Sequence, residues 1–153
     1  MNEILRLFVI LGAASLLLTA SAAAEEPNRF AVAGLSETQA RTFFEKLQNV
    51  IRSGNGDRLA DLMSFPLFVH SSSNSMTVGQ RADFLAGVNR IFTPDIRARI
   101  LSQRFDDFFA NGRGVMIANG SVWFSGICSA TSSPGSCEIE RVLVVSVNLD
   151  APT

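Results

Sequence analysis

His70 is the only histidine of the chain, and imidazole is the side chain best suited to proton transfer near neutral pH. It ends a Phe- and Val-rich stretch, Phe65 to His70, that reads as a β-strand. Alternation places it on the face of Phe68 and not on that of Val69. Asp106 and Asp107 lie on what reads as a later strand, Phe105 to Ala110, and point to opposite faces, so one of them could orient the imidazole of a general base. A single histidine without a fixed partner is also what a solvated strand end looks like, and that reading weighs more.

Arg141 interrupts an otherwise apolar strand face. It could pair with Asp106 or Asp107 across a sheet or bind a ligand carboxylate, and the ion pair is the simpler expectation. Trp123, among β-branched and aromatic neighbours, is expected in the core or at the edge of a binding surface. Arg97, Arg99 and Arg104 read as surface charges; two residues apart on a helix, Arg97 and Arg99 face away from each other and form no clamp. Asn111-Gly112-Arg113-Gly114 is a turn and no phosphate loop, because no lysine and no helix follow. Asn119-Gly120-Ser121 fits a glycosylation sequon but falls inside an expected strand.

Cys128 and Cys137 enclose eight residues of loop composition. A disulfide would pin the ends of that loop, and closing so short a ring contributes about 2–3 kcal/mol in the chain-entropy model. A redox pair usually has C-x-x-C spacing, and a metal site needs more ligands than two thiols, so a structural disulfide is the reading and neither metal nor cofactor is implied. The compartment fits. Residues 1–24 combine Arg6, an apolar run from Leu7 to Leu18 and overlapping A-x-A sites in Thr19 to Ala24, the pattern of a cleaved secretory signal peptide. The expected location is the periplasm or the exterior, with no membrane attachment after cleavage.

The elements that must position these residues follow from periodicity. Ser36-Glu37-Thr38-Gln39 is a capping box, and Ala40, Phe43, Phe44, Leu47, Val50 and Ile51 recur at helical spacing behind it. Ser53-Gly54-Asn55-Gly56 ends that helix, and Asp57 opens a short second one. Thr77 to Gln80 reads as another capping box, for a helix with Phe84, Leu85, Val88, Ile91 and Phe92 on one face. Thr93 and Pro94 start a further helix that buries Ile96 and Ile100. From Gln103 on, the period is that of strands. Val115 to Ile127 is broken at Asn119-Gly120, by a hairpin turn or a bulge, and the bulge is preferred. Along Cys137 to Leu149, the residues Ile139, Leu143, Val145, Val147 and Leu149 share a face with Arg141, while Val142 and Val144 lie opposite. Helices first and strands last describe one α+β domain, an antiparallel sheet packed on N-terminal helices, over 35–150, with 25–34 as a loose lead-in. Twelve Phe and no Tyr promise an apolar interior, and a net charge of -1 gives no basic stripe for nucleic acid.

The segments Phe43 to Leu47, Gly56 to Leu62, Phe84-Leu85 and Gly114 to Phe124, in this order, resemble the nuclear transport factor 2-like superfamily, which includes ketosteroid isomerase and polyketide cyclase relatives. The resemblance implies a sheet curled around the helices as a cone with a pocket at its open end. Isomerase-like members need a tyrosine that this chain lacks. Dehydratase-like members use His and Asp, which would assign a role to His70 with Asp106 or Asp107. Without a convergent catalytic set, the expected function is an exported binding or interaction protein, taking a small apolar ligand or a periplasmic protein and pairing as a homodimer through the sheet face. The alternatives are a small hydro-lyase or isomerase, and an immunity or inhibitor protein.

Overall fold

The structure is a computed structural model that describes residues 27–131, 133 and 135–152. The signal-peptide segment lies outside the described residues. Four helices, α1 (Glu37–Ser53), α2 (Gly56–Ala60), α3 (Arg81–Ile91) and α4 (Pro94–Ser102), pack against a curled six-stranded sheet. Its strands are β1 (Met63–His70), β2 (Met76–Val78), β3 (Phe109–Asn111), β4 (Gly114–Ile117), β5 (Val122–Cys128) and β6 (Ile139–Asn148), in the order β2-β1-β6-β5-β4-β3. This is the α+β class expected. All pairings are antiparallel except β1 with β6, which run parallel, so the sheet is mixed.

Local chemistry sets the helix ends. The Ser36 hydroxyl accepts from the Gln39 N–H at 3.1 Å while the Gln39 side chain accepts from the Ser36 N–H at 2.8 Å, completing the capping box of α1. Gly54, at φ 66°, ends α1 in the left-handed conformation that a Cβ disfavours. Asn55 caps α2 through the Arg58 N–H, and Thr93 caps α4 with Pro94 in its first turn. The inward side chains of α1 are the six expected apolar ones. Nine phenylalanines are buried or partly buried among them, with chains of ring contacts running Phe30–Phe105–Phe108–Phe124–Phe43 and Phe65–Phe84–Phe92.

Several local expectations change. Thr77 caps no helix: it pairs with Phe68 in the β1–β2 hairpin, and α3 begins after Gln80 without a side-chain cap, because pairing with β1 buries Val78. Phe105–Asp107 is a 3-10 turn, and only Phe109–Asn111 is strand. Asn119-Gly120 is a hairpin connection and not a bulge: Ile117 pairs with Val122, and Ala118, Asn119 and Gly120 take φ of 52°, 54° and 92° to reverse the chain. Two bulges lie in β6, at Glu140 and at Val145. Phe124 pairs with Val144 and Trp123 with Ser146, so Val145 is the extra residue, and both Val144 and Val147 turn into the core. The shared face expected for Leu143, Val145 and Val147 is broken there. Pro66, which has no N–H to offer, sits where the β1–β6 ladder is interrupted between Met63 and Phe68. The lead-in is tied down from Asn28 onward: Phe30 is fully buried, and Arg29 donates to the carbonyls of Phe105 and Asp106 at 2.8 and 2.7 Å.

Candidate functional site

The inner side of the sheet is filled. One row of paired residues, Val69–Val147–Val122–Ile117, is at most 1% exposed, and the phenylalanines of α1 and α3 close over the sheet. The neighbouring row, one residue along each strand, faces outward. It runs unbroken across all six strands as Thr77–Phe68–Ser146–Trp123–Met116–Phe109. Phe68 is 49% and Phe109 51% exposed, and Trp123 and Met116 are half-buried. With neighbouring strands about 4.8 Å apart, the row is about 24 Å wide. No residue in it is charged.

His70 belongs to this outer side. It is exposed and lines a cleft of about 210 Å³ with Arg113, Trp123, Val145, Ser146 and Asn148. No carboxylate lines that cleft. Asp106 and Asp107 sit in the 3-10 turn before β3, four strand positions from β1, which is about 19 Å of sheet. Asp106 faces Arg104 at 3.6 Å on the surface, and Asp107 borders a polar pocket with Arg99, Gln103 and Asn119. The imidazole–carboxylate pair that His70 and either aspartate would make is therefore not formed. Arg141 pairs with neither aspartate; it lines a groove between α1 and β6. Trp123 is at a surface and not in the core.

The disulfide between Cys128 and Cys137 is present, with 5.1 Å between the Cα atoms, closing the β5–β6 connection. Among the described residues no three His, Cys, Asp or Glu side chains group so as to hold a metal ion, and no helix is long and apolar enough to cross a membrane.

One polar centre was not legible in the sequence. Arg99, expected at the surface, has a side chain only 15% exposed. It donates to the Ser121 hydroxyl at 3.1 Å and to the carbonyls of Ala151 and Pro152 at 3.3 and 3.1 Å, and it pairs with Asp95. Ser121 is the one polar residue that is fully buried among the described residues. Gln103 accepts from the Ala118 N–H at 2.6 Å and so holds the left-handed turn next to it. Arg99 faces the end of the chain, far from it in sequence, which is why periodicity could not show its burial. Two further groups have shifted acidities. Arg81 is raised above its ordinary value by hydrogen bonds to Asp61 and then Asp57, which tie α3 to α2. Asp150 is lowered by accepting from the Ser72 N–H.

Comparison with protein-family models, with curated proteins and with solved structures gave no match.

Proposed function

We propose that this chain is an exported, non-catalytic interaction protein of the nuclear transport factor 2-like kind that pairs with a second copy through the outer face of its sheet. The outer row carries the reading. An exposed, uncharged strip rich in aromatic residues is the kind of patch that marks a contact surface, whereas scattered exposed apolar residues are not. Within it, Phe68 and Phe109 lie on either side of Trp123, each two strands away. A two-fold axis near Trp123 therefore brings Phe68 of each copy over Phe109 of the other, the self-complementarity that a symmetric dimer requires. Export is supported by the leader-like residues 1–24 and by the disulfide. Catalysis is disfavoured by the separation of His70 from Asp106 and Asp107.

Sedimentation equilibrium and the emission of Trp123, the only tryptophan, test this together. Dimerisation shifts the emission to the blue as concentration rises, and Phe68→Lys or Phe109→Lys abolishes both the shift and the dimer. A wild-type chain that stays monomeric at its highest soluble concentration removes the proposal.

A further inference from the structure

The cleft beside Trp123 on the outer side of the sheet offers donors and no acid. Arg113 reaches it from the β3–β4 turn, His70 from the end of β1, and Ser146 and Asn148 from β6. The Arg113 side chain is exposed and makes no ion pair or hydrogen bond among the described residues. The His70 imidazole and the Ser146 hydroxyl have no hydrogen-bond partner there either. Asn148 accepts from the Asp150 N–H at 3.1 Å through its side-chain oxygen, which leaves its NH2 group as the free end. Asp150, the carboxylate nearest in sequence, is taken up by the Ser72 N–H and does not line the cleft.

The bulge at Val145 makes the floor. Val145 and Ser146 stand together where a regular strand would set one residue against Trp123. Trp123 and Val145 are both half-buried, so the floor is apolar and still reachable from solvent. The volume of about 210 Å³ lies below the roughly 300–1,000 Å³ of sites for larger ligands, which selects a small molecule. The charge selects an anion, since one fixed cation, an imidazole and two neutral donors meet no carboxylate. The planar fork of a guanidinium matches a carboxylate through two parallel hydrogen bonds, and an indole face suits a flat ring.

We infer that this cleft binds a small aromatic carboxylate, its ring on Trp123 and Val145 and its charge at Arg113, with His70, Ser146 and Asn148 as further donors. The site is complete in one copy of the chain, so the inference does not rest on dimerisation, although a second copy on the outer row would cover Trp123.

The test uses benzoate, with benzamide as its uncharged counterpart and acetate as the anion without a ring. Titrations are made on Phe109→Lys, in which no second copy competes for Trp123, and NMR reads the Trp123 indole N–H and the Asn148 side-chain amide. Benzoate shifts both signals and binds at least about tenfold more tightly than benzamide or acetate. Arg113→Gln weakens benzoate at least about tenfold, whereas Arg104→Met, the same loss of charge elsewhere on the surface, leaves it unchanged. Asn148→Asp keeps an acceptor for the Asp150 N–H but puts a carboxylate into the cleft, and it abolishes binding. Benzamide or acetate binding as well as benzoate, an equal loss in the two arginine variants, or no shift of either signal by about 10 mM benzoate overturns the inference. None of these readouts depends on whether the wild-type chain dimerises, which keeps a failure here distinct from a failure of the dimer.

Discussion

Two rows of the same sheet, one residue apart on every strand, do opposite things. Val69–Val147–Val122–Ile117 faces the helices and is sealed. Phe68–Ser146–Trp123–Met116–Phe109 faces outward and leaves two phenylalanine rings about half exposed. Neither row carries a charge, but only the inner one is covered within the chain. The difference separates side chains that hold the fold from side chains available for function. Aromatic rings of the helices and of β5 close over the inner row, whereas nothing within the chain covers the outer one.

The comparison can be broken most decisively by truncating one ring on each face. Phe124 is fully buried and stacks on Phe43 at 4.8 Å between ring centroids. Phe124→Ala leaves a cavity among rings that cannot collapse together, and is expected to cost about 3–5 kcal/mol in urea unfolding. Phe68→Ala, on the outer row, is expected to change the stability of the monomer by less than about 1 kcal/mol while removing self-association. Equal losses at the two sites, measured at concentrations where the chain is monomeric, would mean that the outer row is structural.

The sequence carried the inner row better than the outer one. Helical spacing along α1, the capping box at Ser36 and the Thr93-Pro94 start of α4 are local signals, and each reappears in the structure. The cysteine pair was legible because its spacing and loop composition are local too. Pairing was not. The bulge at Val145 reverses the facing of β6 residues on either side of it, and alternation read along one strand cannot detect an extra residue that only the partner strand defines. The same limit concealed the site. His70 and Phe68 were read onto one face, but which face it was depended on β6, and the distance from His70 to Asp106 and Asp107 depended on the order of all the strands.

A smaller effect contrasts two arginines of similar sequence setting. Arg99 serves Ser121 and the carbonyls of Ala151 and Pro152 from a nearly enclosed position, whereas Arg104 meets Asp106 at 3.6 Å in full solvent. Arg99→Met leaves those partners unsatisfied and is expected to cost about 2 kcal/mol. Arg104→Met is expected to fall within about 0.5 kcal/mol of wild type, because exposed ion pairs contribute little. Thermal or urea unfolding of the two variants decides the matter. If Arg104 proves the costlier of the two, the Arg99 centre does not hold the chain end against the inner side of the sheet.

The smallest expected effect concerns the rim where the two rows end. Asp150 accepts from the Ser72 N–H beside the end of β1, and the Leu149 N–H donates to the His70 carbonyl next to it. This hydrogen bond favours the ionised carboxylate and lowers the Asp150 pKa below its ordinary value of 3.8. A group whose value is lower in the folded chain stabilises the fold above its unfolded value, and that stabilisation is lost as pH falls through the lower, folded value. Asp150→Asn keeps the acceptor oxygen and removes the charge. Its urea midpoint is therefore expected slightly below that of wild type at neutral pH, with the gap closing once the pH is well below 3.8. A gap that stays constant across that range would show that the charge of Asp150 does not anchor the Ser72 turn, and that the rim of the outer face is held by backbone pairing alone.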